Sequence, residues 1–331
     1  MEADNLISTE RLKIFTWHVH GSYLFYLSQG RYEIYIPVNS KKSEGYQGKG
    51  DTFPFGENVH EVDVEHLQEM DFDCILFQSA KNYLVDQYEV LSAQQRKLPK
   101  VYLEHDPPRE TPTDTKHVIG SREILVVHVT NFNRLMWDNR QALTKVIEHG
   151  VTDPGVRYNG ELNKGIVVIN NLASRGRRLG EDIFQQIRKH VPVDLIGMNS
   201  EELGGLGEIP HPELPAFLSR YRFLLNPIRY TSLGLSVCEA MMLGMPVVGL
   251  ATTEMVTVVE NGVSGFVHTD VRYLIDKMNE LIHDRLWAGR LGENARKEAQ
   301  SRFGIRRFCR EWEHVFNLAV KQTATVSPGY I

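Results

Sequence analysis

The 331-residue chain has only 3 cysteines, Cys74, Cys238 and Cys309, odd in number and far apart. That scarcity excludes a disulfide scaffold and any cysteine-based metal or redox spacing, and it suits free thiols in a reducing compartment. No run approaches the roughly 18 apolar residues in a row that a membrane-spanning helix needs. The opening MEADNLISTERLKIF is charged and reaches a strand-like stretch with no apolar leader core. Low-complexity segments and short-period repeats are missing too. Nor is there an excess of basic charge: 37 Lys and Arg against 42 Asp and Glu leave a formal net charge of −5, poor footing for a general nucleic-acid binder. The expectation is a cytoplasmic protein with at most peripheral membrane contact. It is too long for one ordinary core, so two domains of about 150 residues are expected.

What is there begins with alternation. In the first half, Leu12–Trp17, Tyr32–Val38, Cys74–Ser79, Lys100–His105 and Ile124–Thr130 read as strands, with a helical stretch from Lys81 to about Gln95. Unbroken apolar runs of this kind indicate a parallel sheet covered on both faces. The Gly/Lys/Ser-rich segment between Asn39 and Asn58 is long for a connector, so it is either functional or mobile. A cluster of turn formers over Thr152–Gly165 marks the linker. The pattern then restarts with strands Gly165–Leu172, Val193–Gly197, Arg222–Pro227 and Pro246–Leu250, an arginine-rich turn, and helices over about Gly180–His190 and over PELPAFLSRY. From Val271 onward the chain reads as helical, with Phe308, Trp312, Val315, Phe316 and Val320 on one apolar stripe. The fold class is therefore α/β: two Rossmann-like domains with a helical tail and a ligand cleft beyond the C-terminal strand ends. The expected divisions are 1–155, 156–305 and 306–331, the last packing back on the first domain.

Several chemical signals stand out. In TSLGLSVCEAMMLGMPVV, Thr231 to Val248, Gly234 leads into a short helix that carries Glu239 one turn in and ends at Gly244 before Pro246. A helix N-terminus offers free N–H groups to a phosphate. Equally, Ser236 to Glu239 spells a capping box, S-x-x-E, which needs no ligand. Arg175, Arg177 and Arg178 follow a strand. The pair His18 and His20 has H-x-H spacing, compatible with metal binding, with cleft lining by His20, or with plain loop residues. His105 and Asp106 end a strand, and Phe132 and Trp137 either pack under a loop or line a groove. The lone D-x-D, Asp71 to Asp73, reads as a surface turn, and no G-x-G-x-x-G follows either first strand.

The segment Pro227 to Phe266 resembles the donor-site signature of retaining GT-B glycosyltransferases, family 4 (group 1). Pro227, Gly234, Leu235, Glu239, Ala240, Met241, Gly244, Pro246, Val247, Val248, Gly262 and Gly265 fall in register with it. HPELPAFLSRYRFLLNP and TKVIEHGVTD also look like the family's flanking segments. The resemblance implies a GT-B fold and a nucleoside-diphosphate sugar as co-substrate, UDP- or GDP-linked, with no metal or other cofactor. It implies transfer to a glycan or lipid-linked acceptor. By the same resemblance, Glu239 bonds the ribose, the Gly234 and Leu235 amides face the diphosphate, and Arg175 and Arg178 neutralise it, with Arg177 outward. Gly21 stands for the family's glycine turn near the donor, and His105 for the histidine beside the transferred sugar. The departures are Asn171 at the usual arginine position, Ser232 for a glycine, and Thr231 where the family carries a glutamate that binds the sugar. Thr231 leaves room for a second reading, a GT-B nucleotide-binding protein without transfer, and for an epimerase-like relative.

Overall fold

The computed structural model describes residues 11–324. Among these residues, twelve strands form two all-parallel sheets. The first sheet contains β1 (Lys13–Thr16), β2 (Glu33–Val38), β3 (Val59–Asp63), β4 (Cys74–Phe77), β5 (Lys100–Glu104), β6 (Leu125–His128) and β7 (Thr144–Val146), in the order β3-β2-β1-β4-β5-β6-β7. The second contains β8 (Leu162–Val168), β9 (Val193–Ile196), β10 (Tyr221–Asn226), β11 (Val247–Leu250) and β12 (Gly265–His268), in the order β12-β11-β10-β8-β9. Every residue of β4, β10 and β11 is buried, as expected of strands covered on both faces.

Strand order reverses beside β1 in the first sheet and beside β8 in the second. At such switch points the helices diverge to opposite faces and leave a crevice at the strand ends. The helices are α1 (Gly21–Leu27), α2 (Gln87–Val90), α3 (Asn131–Met136), α4 (Leu172–Leu179), α5 (Glu181–Ile187), α6 (Leu214–Leu218), α7 (Leu235–Leu243), α8 (Met255–Val258), α9 (Val271–His283), α10 (Arg285–Arg302) and α11 (Ile305–Ala324). Asp270 and Asp284 cap α9 and α10, accepting from the backbone N–H of Arg272 and Trp287.

The tail divides. α10 packs on α7 of the second domain, whereas α11 crosses to contact α1, β4 and β5 of the first. Phe308, Trp312, Val315 and Phe316, four members of the expected stripe, are all buried there, and the Trp312 indole donates to the Tyr23 hydroxyl at 3.1 Å. One apolar cluster therefore runs from the first sheet and α1 through α11 to α7.

Three local expectations are corrected. β3, β7 and β12 are strands that the sequence reading did not single out. The stretch expected to be helical from Lys81 is helical but stops at Val90, short of Gln95, and passes through a π-helical turn over Asn82–Asp86 before the four-residue α2. The arginine-rich turn is helical: α4 is two helical pieces joined at Gly176, whose φ of 55° and ψ of −142° only glycine adopts readily.

Candidate active site

Loops following β1, β5, β8 and β10 line one cavity of about 340 Å³ between the domains. Its first-domain wall includes His20, Tyr23, His105 and Asp106, and its second-domain wall includes Asn170, Arg175, Thr231, Gly234 and Glu239.

His105 is anchored by Gln78, at the end of β4. The Gln78 amide nitrogen donates to the Trp17 carbonyl at 2.8 Å and to Thr16 Oγ1 at 2.9 Å. A carbonyl can only accept, so the Gln78 Oε1 must face His105, 3.0 Å from its Nε2. His105 therefore carries its proton on Nε2 and keeps Nδ1 as an acceptor. Burial, then the neighbouring His20 and His149, hold its pKa well below the usual histidine value, so the ring is neutral. The His20 ring lies 4.2 Å from it, centroid to centroid, and its pKa is also lowered, by desolvation first and against the pull of Asp106.

On the facing wall, Arg175 makes no ion pair among the described residues, and its guanidinium pKa is lowered by burial and then by Arg178. A half-buried cation in that state favours an anion beside it. Arg178 lies next to it without lining the cavity, while Arg177 points outward and pairs with Asp182. Asn171 sits in the left-handed region at φ 55° and bonds Asn199.

Gly234 is the N-cap of α7, with φ −73° and ψ 137°, and a Cβ there would meet nothing nearer than Ser236 Oγ at 3.4 Å. Neither backbone angle nor packing requires glycine there, and Gly234 lines the cavity. The capping box does not form. Ser236 is the second helical residue and makes no cap bond, and Glu239 is too deep in the helix to reach back. Instead Glu239 accepts the Tyr26 hydroxyl at 2.7 Å, with His211 Nε2 3.7 Å away. Thr231 donates to Asp106 Oδ1 at 3.3 Å, across the domain boundary.

His105, His20, Arg175, Thr231, Gly234, Leu235 and Glu239 are thus brought to one cavity. Gly21 is not in its lining; a Cβ there would strike Phe53 at 2.6 Å, so packing accounts for the glycine. His18 bonds the Gly48 carbonyl and faces a different environment from His20. Trp137 donates to the Asp106 carbonyl and Phe132 packs on Tyr230, so both pack rather than line the cavity. Asp73 accepts the Lys13 N–H at 2.7 Å where the neighbouring inner strands β1 and β4 begin. Among the described residues no three His, Cys, Asp or Glu side chains are grouped to hold a metal ion. The Asn39–Asn58 segment delivers Thr52 and Phe53 to the cavity. Tyr23, Gln78, His149 and His211 are cleft or supporting residues with no sequence signal of their own. His149 and His211 fell within segments already singled out as resembling the family's flanks, and Gln78 within an expected strand, but none was read as a site residue.

Residues 182–284 match the family described as "Glycosyl transferases group 1". The fold superposes on sucrose-phosphate synthase from Thermosynechococcus elongatus with a TM-score of 0.71 at 14% identity, covering 94% of this chain and 100% of that one. Anabaena HepE in complex with UDP-glucose gives 0.65 at 17% identity, over 93% and 100% of the two chains. S. aureus TarM, solved with UDP, gives 0.58 at 15%, over 77% and 58%. No curated protein sequence matches the chain. The protein has the GT-B fold, and its second domain resembles the group 1 glycosyl transferases.

Proposed function

We propose that the protein is a glycosyltransferase that moves a sugar from a nucleoside diphosphate, UDP- or GDP-linked, to a glycan or lipid-linked acceptor, with retention and without a metal ion. The carrying observation is the convergence, in one cavity, of unpaired Arg175, the open N-terminus of α7 and the Glu239 carboxylate. The UDP-glucose bound to HepE makes uracil the first base to test.

In this reading Glu239 accepts hydrogen bonds from ribose hydroxyls, while Arg175 and the first N–H groups of α7 hold the diphosphate, with Arg178 adding to the positive field. Those groups stabilise the charge that builds as the bond from the anomeric carbon to the diphosphate oxygen breaks. The acceptor oxygen forms its bond on the same face, and its proton passes to the departing phosphate oxygen. Neutral His105 offers Nδ1 to a sugar hydroxyl and so orients the sugar; its lowered pKa makes it a weak base. His20 and Thr231 complete the wall around the sugar. Acceptor binding falls to the first-domain side, where Thr52 and Phe53 reach the cavity.

Thr231 favours one rival, a binding protein without transfer, because a hydroxyl already bonded to Asp106 replaces a carboxylate. Thermal unfolding with UDP, GDP, TDP and ADP in EDTA tests the common part of both readings. A ligand at about a hundred times its Kd adds about 2.7 kcal/mol of stability. One nucleotide is expected to raise Tm, and Glu239→Ala is expected to abolish the shift. No shift with any of them would overturn the assignment of the site. Release of UDP or GDP from a sugar donor then separates transferase from binding protein.

A further inference from the structure

Glu239 stands between two cavities. With His211 and Leu214 it borders both the main cleft and a smaller cavity of about 40 Å³ behind it, and Tyr26 lines only the smaller of the two. Tyr26 lies on α1 of the first domain, buried to 3% exposure, and its hydroxyl donates to Glu239 Oε1 at 2.7 Å. His211 Nε2, 3.4 Å from the phenol oxygen, flanks the pair. Burial and the adjacent carboxylate push the Tyr26 pKa up, which keeps it a donor. The other carboxylate oxygen of Glu239 has no hydrogen bond among the described residues.

We propose that Tyr26 is a positioning residue: it holds one Glu239 oxygen from behind so that the other meets the ribose hydroxyls of a nucleoside diphosphate. This rests on the reading of Glu239 as the ribose ligand. A free glutamate must lose rotamer freedom when it binds, and a hydrogen bond already in place removes that loss. Because Tyr26 belongs to the first domain and Glu239 to the second, the nucleotide affinity of the second domain depends on how the first is docked against it. Tyr26 does not line the main cavity, so its effect on a ligand there passes through the residues it holds, Glu239 at 2.7 Å first and His211 at 3.4 Å second.

The test is calorimetric titration of UDP and 2′,3′-dideoxy-UDP into the wild type, Tyr26→Phe, Glu239→Gln and the double variant, with the GDP pair alongside. The wild type is expected to bind UDP or GDP more tightly than its dideoxy counterpart. Tyr26→Phe is expected to weaken the ribonucleotide about tenfold, the worth of one hydrogen bond. It should leave the dideoxy nucleotide within about twofold and add nothing in the Glu239→Gln background. Tyr26→His, with a ring N–H in place of the hydroxyl, should restore part of the loss and serves if the phenylalanine variant does not fold. Equal weakening of both nucleotides would reveal a merely structural role and overturn the proposal, as would no weakening at all. A wild type that fails to distinguish the two nucleotides would overturn the ribose reading together with it. One that distinguishes them equally well after Tyr26→Phe would overturn the role of Tyr26 alone.

Discussion

Arg175 and Arg177 stand two residues apart and differ in everything but type. Arg175 lines the cavity and makes no salt bridge among the described residues, whereas Arg177 is 75% exposed and paired with Asp182. A cation held without a partner in a half-buried wall contributes to binding an anion, and an exposed pair contributes little to anything. Arg175→Ala should therefore weaken UDP at least about tenfold, since a charge-assisted hydrogen bond is worth roughly 1.5–3 kcal/mol, while uridine is little affected. Arg177→Ala should stay within about twofold for both. Calorimetry on the two variants checks this, and equal losses would place the diphosphate elsewhere. The arginines were legible in the sequence because charge on a turn after a strand is a local pattern. Gln78 was not: a glutamine at a strand end shows no role until β5 brings His105 beside it.

At the scale of elements, the joint between α4 and α5 decides how the arginines meet the signature loop. Gly180 has φ 83°, and a Cβ on it would lie 2.0 Å from the Pro227 carbonyl oxygen. Just beyond, the Arg229 and Tyr230 N–H groups donate to the Arg178 carbonyl at 3.1 and 3.2 Å. The joint thus docks the arginine helix onto the loop leading to Thr231. Gly180→Ala combines a left-handed backbone angle with a clash against main chain, and should cost at least about 2 kcal/mol. Thermal unfolding should show a Tm lower by several degrees, together with weaker UDP binding; an unchanged Tm would refute the docking role. β3, β7 and β12 escaped the sequence reading because short, mixed runs such as VHEVD, TKV and GFVH lack the unbroken apolar character of the central strands.

For the molecule as a whole, the two domains are joined by polar contacts around the cleft and by α11 behind it. Tyr230 donates to the Pro108 carbonyl, Phe132 N–H to Glu254, and His149 Nε2 to the Leu233 carbonyl. Trp312, fully buried on α11, bonds Tyr23, whose ring in turn lies 4.9 Å from His105 and 5.7 Å from His149. The helix therefore supports the cleft from the far side of the first domain. Trp312→Ala should cost about 3–5 kcal/mol, the range for emptying a buried tryptophan site. A Tm depression measured by calorimetry is the check, and a loss under about 1 kcal/mol would mean that α11 is not integral to the fold.

The sequence by itself determined the alternation that makes two parallel sheets, the apolar stripe of α11, and the glycine-led helix bearing Glu239. Each of these is written in residues close together in the chain, through periodicity, turn chemistry and helix-end signals. Only the tertiary structure decided what Glu239 and Thr231 do with their oxygens. Their partners, Tyr26 and Asp106, come from the other domain, 213 and 125 residues away along the chain. No local pattern can encode such a pairing, because it depends on how two separately formed sheets present their strand ends to each other.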